Sequence, residues 1–434
     1  MKWSIQTVIS FCLGISQAFG QPLAVEALLA SDTEKGVLSF ELAIDRIVFR
    51  STGVAEAQAT LGFIETKNIP SRLAYFPTLS FDAKTALGGA ANLFPMQQMM
   101  ELSSQWNLFK WGADAFGMRA SYFEQSAQSS RVDATVLEAE GEAVAALIGQ
   151  IQRKKEVQIH KKIIKNQTEL TAIAHQRYQA GYLPMQEAEK MTVDLANAQA
   201  SLIDAQILET DAQVALEKSL GHLNLNFEWP WIAQLRDSEH LPLLKQEQVL
   251  SQRPDWLAAQ SKVQTLDARV SQSWRLLLPS VDAQFAFGYY RSSFGEGIGW
   301  VGYVGMTLPL FDHATNYSQA KQQMYLRSEA EAQLEQVSRK AKAEWTASQK
   351  NFRMALESAL SREKTLLLSR KLYQDNQRRF QAGRIDSNDL AVDRNRMFQA
   401  ELNAVQGWSA AHLSFTQLCH ALGYRIKQCL NGAS

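Results

Sequence analysis

The amino-acid sequence predicts a mixed fold of long coiled-coil α-helices and transmembrane β-strands, built as a tandem duplication of one unit. Three observations predict this class. Short words recur at a constant offset of 202 positions, such as RYQAG at Arg177–Gly181 and RFQAG at Arg379–Gly383. Two pairs of runs alternate between apolar and polar side chains, as strands with one apolar face do. Very long helical runs precede the repeated words, and they exceed the depth of a single globular core.

The N-terminus has the features of an export signal, which we place at residues 1–20. A lysine precedes a short apolar run at Ile5–Ile15, and small residues ending at Ala18 or at Gly20 fit a cleavage site. The run is too short to span a bilayer comfortably, and a buried N-terminal helix is the alternative interpretation. Cys12 lies between bulky apolar neighbours, so no lipid anchor is expected.

Charge and composition exclude some classes of function. The 434 residues include 44 basic and 44 acidic side chains, and a nucleic-acid partner normally leaves a basic excess. After the signal, the sequence has no apolar run of about 18 residues or more, the length that a membrane helix needs. If the exported chain enters a membrane, it must therefore do so as β-strands, because only helices and closed sheets satisfy the backbone there.

The offset of 202 positions holds along most of the chain without an insertion. Pro77 matches Pro279, and Leu220-Gly221 matches Leu422-Gly423. Similarity at a fixed period indicates repeated structural units. We therefore expect each copy to contain a helical segment, a β-hairpin and two long helices, in that order.

The expected boundaries follow from these matches. The domains are a signal peptide at 1–20, a first structural repeat at 21–223, a linker at 224–248, a second structural repeat at 249–423 and a C-terminal tail at 424–434. The expected elements are helical segments at 42–72 and 249–277, hairpins at about 77–109 and 279–311, and long helices at 115–177, 184–221, 316–379 and 386–422.

The strand-like runs alternate with period two. Apolar side chains occupy one face at Val281–Tyr289 and at Met100–Leu108, with polar or small ones on the other face. This pattern is typical of transmembrane barrel strands, and the aromatic residues near the strand ends favour a membrane interface. A soluble antiparallel sheet with one wet face alternates in the same way. GEGIG at Gly295–Gly299 is expected to be the loop between two strands, since it does not open a helix as a phosphate-binding loop does.

The second copy's long helix has an apolar residue at every seventh position: Trp345, Phe352, Ala359, Leu366, Tyr373 and Phe380. A heptad pattern of this kind predicts a left-handed coiled coil. The helix would be roughly 90–100 Å long at 1.5 Å per residue. Neighbouring positions are small or polar, so the seam is thin. It fits either a wall of helices around water or a loosely packed bundle.

Two hairpins supply four strands, which cannot close a membrane barrel because about eight strands are the minimum. An open sheet edge is not tolerated in lipid. If the strands lie in a membrane, several protomers must therefore share one barrel, and three protomers would supply twelve strands.

At this point the sequence resembles the TolC-type outer membrane efflux protein family. The resemblance covers nearly the whole mature chain and depends on the duplication, the RxQAG words and the helices that end in Leu-Gly. Further matching words are FPTL at Phe76–Leu79, LPSV at Leu278–Val281, TLPLFDH at Thr307–His313 and RPDW at Arg253–Trp256. The first copy departs from the family at Ser51–Val54, where an Asn-Pro or Arg-Pro pair is common.

The resemblance implies a homotrimer that forms a 12-stranded β-barrel in the outer membrane of a Gram-negative bacterium and a periplasmic α-helical barrel. It implies a passive exit channel of a tripartite efflux pump or a type I secretion system. The partners would be a periplasmic adaptor, an inner membrane pump of the RND, ABC or a similar class, and outer membrane lipid. The alternative is a soluble periplasmic coiled-coil scaffold or adaptor protein.

No enzyme is expected. The seven histidines are scattered, and neither an HExxH nor a Cys-x-x-Cys motif is present, so no catalytic site, metal site or cofactor is predicted. The expected mature chain keeps Cys419 and Cys429. Export makes a disulfide between them feasible, but two free thiols fit the sequence equally well.

The RxQAG words are expected to be the tips of helical hairpins, since glycine at Gly181 and Gly383 can adopt positive φ and end a helix. Pro184 suits the first turn of the returning helix. By resemblance, the tips contact the adaptor through Gly181, Tyr182, Leu183, Pro184 and Gly383.

Four charged residues after the second tip are candidates for a periplasmic gate: Arg384, Asp386, Asp389 and Asp393. Asp386 also suits a helix cap that complements the helix dipole. Asp389 and Asp393 are one helical turn apart, and in a trimer each would form a carboxylate ring that attracts cations. Asp389 matches the family's first gate acid. The second usually stands at the position of Val392, so Asp393 either faces the lumen at a shifted depth or pairs with a neighbour.

Overall fold

The structure is a computed structural model of the chain. It describes residues 39–85, 96–220, 228–232, 235, 250–292, 295–308, 312–382, 384–385 and 387–431. The expected signal peptide, most of the expected linker, and the candidate site residues Gly383 and Asp386 lie outside the described residues.

In both halves of the described chain, helical segments come first, and two strands and then two long helices follow. In chain order they are α1 Phe40–Arg50, α2 Thr52–Lys67, α3 Ile69–Arg72, β1 Thr78–Thr85, β2 Met96–Phe109, α4 Ala113–Gln179, α5 Met185–Leu220, α6 Pro254–Arg275, β3 Ser280–Ser292, β4 Gly295–Thr307, α7 Thr315–Gln381, α8 Ser387–Ala421 and α9 Ile426–Asn431.

The duplication is visible in these bounds. Helices α4 and α7 begin and end 202 positions apart, and α2 and α6 begin at the same offset. The backbone repeats as well. Between strand and long helix, Trp111 and Gly112 have positive φ, and so do His313 and Ala314 at the matching positions. Two equivalent left-handed pairs are an uncommon feature, so the two copies share local conformation as well as element order.

The four strands form one antiparallel sheet in the order β1-β2-β3-β4. In the register of β3 and β4, Gly299 lies opposite Gly288, which makes GEGIG the beginning of strand β4 and corrects our expectation of a loop. Glycine has a steric role in the neighbouring strand, because a Cβ at Gly288 would collide with the carbonyl oxygen of Met100. Close backbone approach therefore explains Gly288, whereas an added Cβ at Gly295 or Gly297 would meet nothing within 4 Å.

One face of the sheet is apolar and exposed in the protomer. The exposed fraction of the side chain on this face is 70% for Leu79, 72% for Trp300, 68% for Val304 and 72% for Met306. On the opposite face, Ser80 and Ser103 lie in one cross-strand row, where their hydroxyl oxygens are 2.8 Å apart. An apolar area of this kind on a monomer normally contacts lipid or another chain.

The chain divides into two compact units. The tip unit comprises the described residues of Met1–Ser51, Ala143–Ile232 and Ser369–Val405, and the sheet unit comprises those of Thr52–Glu142, Ala233–Leu368 and Gln406–Ser434. In the tip unit, a buried apolar cluster of Ile159, Phe398 and Val405 packs α4 against α8.

The sheet unit contains the part of the heptad seam that lies in α7 before residue 369. Trp345, Phe352, Ala359 and Leu366 are all buried there, and the ring of Phe352 lies 5.6 Å from that of Phe415 in α8. The seam is narrow, because a Cβ at Gly407 would lie 3.2 Å from the Cα of Ala359. The heptad positions therefore form a helix interface, as the periodicity predicts.

The helix α6 is anchored by Arg253, whose side chain is buried in the sheet unit. Its guanidinium donates to Asp255 at 2.8 and 3.0 Å and to Glu344 at 2.8 Å. Burial alone would lower the pKa of Arg253, but its bonds to Asp255 and Glu344 outweigh burial and raise it. The RPDW word thus encodes a charge network around one buried arginine, and this network joins α6 to α7.

Gly423, the glycine of the second Leu-Gly word, follows helix α8 with φ of +80°. An added Cβ would lie 2.8 Å from the carbonyl oxygen of Gln252 and 2.9 Å from the Cα of Arg253. Glycine is therefore required there both by the left-handed backbone and by the close approach of the segment before α6.

We expect Gly423→Ala to destabilise the protein by about 2 kcal/mol or more, because it adds a left-handed alanine and a backbone clash. Thermal unfolding of the purified protein in detergent would measure this change. Gly62→Ala is the matched control, since that helical glycine has nothing within 4 Å of an added Cβ. Equal melting temperatures for both variants would contradict the assignment.

Among the described helices, none is both long and apolar enough to cross a membrane.

Candidate gate at the helical hairpin tips

The first hairpin tip joins α4 to α5. The backbone N–H of Tyr182 donates to the carbonyl of Arg177 at 2.9 Å, and Gly181 has φ of +74°. These two features are those of a Schellman motif, in which a left-handed residue ends a helix. Helix α5 then begins at Met185, directly after Pro184.

The second tip has the same bond at the matching positions. The N–H of Arg384 donates to the carbonyl of Arg379 at 2.9 Å, and the N–H of Ala382 donates to that of Arg378 at 3.1 Å. The two RxQAG words therefore end α4 and α7 with the same hydrogen-bond pattern.

The two tips present different chemistry to solvent. Tyr182 is 83% exposed and Met185 is 56% exposed, while Pro184 is exposed and Leu183 is half-buried. At the second tip, the residue that matches Tyr182 is Arg384, which is also exposed. At these matching positions, one tip thus exposes a tyrosine and the other exposes an arginine.

Asp393 is buried within the tip unit. It is 8% exposed, and its carboxylate accepts hydrogen bonds from the side-chain amide of Asn376 in α7 and, at 3.3 Å, from Arg396. The sequence leaves open whether Asp393 faces the lumen or pairs with a neighbour. In the structure it pairs with its neighbours Asn376 and Arg396.

Asp389 is exposed in the first turn of α8, so it does not share the environment of Asp393. Among the described residues, no side chain donates a hydrogen bond to Asp389, whereas Asn376 of α7 donates to Asp393. A spacing of one helical turn favours one common stripe for the two acids, but the contacts with the partner helix decide which acid is paired.

Arg394 joins three helices of the tip unit. It is 9% exposed, its Nη1 donates to Oδ1 of Asn166 in α4 at 3.1 Å, and its guanidinium lies 5.4 Å from the centre of the Tyr373 ring in α7. Sequence reasoning misses Asn166 and Asn376 as partners. No single-sequence signal identifies them, since Asn166 is 228 positions from Arg394.

The candidate cysteines meet in the sheet unit. Cys419 and Cys429 form a disulfide with Cα atoms 5.8 Å apart, a normal separation for such a bond. Both are nearly or fully buried, and the bridge connects α8 to α9. Next to it, burial lowers the pKa of His420 to about 4, so this imidazole is neutral at pH 7.

We expect thiol titration of the unreduced mature protein in denaturant to find no free thiol, because both cysteines would be oxidised after export. Reduction in denaturant should release two thiols as the internal control. Two thiols before reduction would contradict the bridge.

In the part of the chain that the structure describes, no group of three or more histidine, cysteine, aspartate or glutamate side chains could hold a metal ion.

Solved structures with the same fold include outer membrane channels. The outer membrane channel CmeC of Campylobacter jejuni matches with a TM-score of 0.75 at 14% identity, over 88% of this chain and 85% of that chain. VceC of Vibrio cholerae matches with 0.70 at 16%, over 89% and 96%. The open state of the Neisseria gonorrhoeae MtrE channel matches with 0.73 at 17%, over 89% of both. At these identities the likeness establishes the fold, and it confirms the predicted fold class.

A search of the curated proteins by sequence finds no significant match. The model of one protein family, described as outer membrane efflux protein, matches residues 70–222 and 246–424. These two matches cover most of the chain and correspond to its two copies, which confirms the predicted resemblance. The chain therefore belongs to the outer membrane efflux protein family.

Proposed function

We propose that three copies of this outer membrane efflux protein form a passive exit channel for a tripartite efflux pump or a type I secretion system. The observation that carries this proposal is the four-stranded sheet, with its exposed apolar face and its two edge strands, β1 and β4. Joining β4 of one copy to β1 of the next in a ring of three gives twelve strands without an open edge.

The alternative of a soluble periplasmic scaffold is not favoured. In that case Leu79, Trp300 and Met306, each at least 70% exposed, would face water on one side of a small sheet. The family match and the likeness to outer membrane channels also favour a channel. No enzymatic activity is proposed, since the relatives are channels.

Export by the signal at residues 1–20, without lipidation, would deliver the chain to the outer membrane. The purified protein should then run as a heat-modifiable trimer from the outer membrane fraction and should conduct ions in a planar bilayer. A monomer in the soluble periplasmic fraction would contradict the proposal.

The first tip is the proposed contact with a periplasmic adaptor. Tyr182 and Met185 are more than half exposed there, beside Leu183 and Pro184, and Tyr and Met are enriched at protein interfaces. The adaptor in turn would connect the channel to an inner membrane pump, which would supply the energy.

The tip unit is the proposed gate. Asp393 binds Asn376 of α7, and the adjacent Arg394 binds Asn166 of α4. The two consecutive residues thus connect α8 to both neighbouring helices. Buried, charge-assisted hydrogen bonds are stronger than exposed ones, so this pair would resist separation of the helices at the tip.

The exposed Asp389 is the proposed cation site of the gate. Three copies around a threefold axis would form one ring of carboxylates that attracts cations. Arg384 is exposed at the same tip and would reduce the negative potential of that ring. Asp393 is assigned to the helix contacts and not to this ring.

We expect Asp389→Ala to raise, by about tenfold, the divalent-cation concentration that half-blocks the channel. The reason is that the trimer loses the three negative charges that together form the cation site. Single-channel recordings with added magnesium would measure it. Asp375→Ala is the matched control, as Asp375 is an exposed acid of α7 in the same unit. Unchanged block in Asp389→Ala would refute the ring.

A further inference from the structure

The sheet unit contains a cavity of about 200 Å³ between helices α2, α4 and α6. Its apolar lining comes from Ile64, Ala127 and Leu266, one residue from each helix. A space of this size is smaller than a typical drug-sized site. It fits a small polar group attached to a short apolar chain.

The charged lining of the cavity is mostly positive. Among the described residues around it, Arg131, Lys262 and Arg269 are cationic and Glu124 is the carboxylate. Glu124 is already bound by two cations, with its carboxylate oxygens 2.7 Å from Arg269 Nη2 and 2.9 Å from Lys67 Nζ. Burial would raise the pKa of Glu124, but its bond to Lys67 and the charge of Arg269 hold the pKa below its usual value.

The positive charges of Lys262 and Arg131 are not neutralised by the described residues around them. Lys262 donates to the neutral amide oxygen of Gln333 at 2.9 Å, and Arg131 is exposed. Within the described parts of the chain, no ion pair forms at either residue. An apolar floor beside unneutralised cations is complementary to an amphiphilic anion.

We propose that this cavity binds the oxyanion of a small amphiphilic ligand, a phosphate monoester or a carboxylate, whose apolar part lies on Ile64 and Leu266. Guanidinium and ammonium groups recognise such oxyanions by charge-assisted hydrogen bonds, and the arginine fork adds a bidentate geometry. The bound ligand joins α2, α4 and α6, so it raises the thermal stability of the protein that binds it.

The test is titration of the intact detergent-solubilised protein with hexyl phosphate, in an uncharged detergent, by calorimetry and thermal unfolding. We expect saturable binding that Arg131→Gln/Lys262→Gln weakens by about tenfold or more, as expected for lost hydrogen bonds to a charged group. Lys342→Gln/Lys350→Gln is the control, because it removes the same charge from exposed positions of α7 outside the cavity. Inorganic phosphate should bind more weakly than hexyl phosphate, since it leaves the apolar floor uncovered.

A second arm separates a soluble ligand from a lipid headgroup. Saturation by hexyl phosphate without lipid assigns the site to a soluble oxyanion. Stabilisation that appears only in anionic phospholipid nanodiscs, and that the cavity variant loses, assigns it to a headgroup. Absence of both responses, or equal responses of the cavity and control variants, overturns the proposal. The cavity variant should still conduct ions, so this outcome is independent of the proposed channel function.

Discussion

Val304→Arg is expected to prevent stable insertion of the protein into the outer membrane. Val304 lies in β4, is 68% exposed and is paired with Ala283, which in turn is paired with Trp106 on the apolar face. A charged residue on the lipid face of a barrel costs about 2–4 kcal/mol near the midplane. A trimer carries the change three times, so roughly 6–12 kcal/mol is the upper bound on the total, since Val304 lies near the end of β4 and the cost falls toward the membrane interface.

Val301→Arg is the matched control in the same strand. Val301 is paired with Ala286, which is paired with Ser103 on the polar face, where an arginine would face the lumen and cost little. Fractionation and heat-modifiability gels would compare the two variants. Equal amounts of outer membrane trimer would contradict the membrane assignment, because a sheet in water would accept arginine on either face.

Asp393→Ala and Arg394→Gln are expected to increase the mean single-channel conductance several-fold. Each removes a partner from a buried contact, which typically costs about 1–3 kcal/mol. A free-energy change of that size shifts the open–closed equilibrium constant of a two-state gate by about 5- to 150-fold. Asp393→Ala removes the carboxylate that accepts from the side-chain amide of Asn376. In Arg394→Gln, the side chain is too short to donate to Asn166 as the arginine does. Planar-bilayer recordings would measure the conductance, and cells should become more sensitive to large antibiotics.

Arg378→Gln is the control for the gate variants, since Arg378 is an exposed arginine of α7 in the tip unit. Its loss of one positive charge matches that of Arg394→Gln but lies outside the helix contacts, so it should leave the conductance unchanged. Gel analysis of the trimers would check that each variant is assembled. Wild-type conductance in both gate variants would mean that these contacts do not restrain the gate.

Two features of the chain differ from what the local sequence predicts. The composition of GEGIG at Gly295–Gly299 predicts a turn. Its glycines are strand residues, because the backbone of this segment pairs with β3 from Gly295 opposite Ser292 to Gly299 opposite Gly288. Likewise Asp389 and Asp393 have equivalent helical positions but unequal exposure, because only the residues of the facing helix distinguish them.

By itself, the sequence determined the order and type of the elements. Helical and strand periodicities are local, and a constant offset of 202 positions repeats them without any knowledge of packing. The hydrogen bonding at the tips is local too, since the same backbone bond over five residues ends both α4 and α7.

Only the tertiary structure decided which side chains meet. Asn376 and Asn166 become the partners of Asp393 and Arg394, and the backbone before Arg253 leaves room at position 423 for a glycine alone. Such contacts depend on how distant segments pack, and a hydrogen bond between residues 228 positions apart leaves no periodic trace in one sequence. Local chemistry therefore specifies the elements, and packing specifies the contacts.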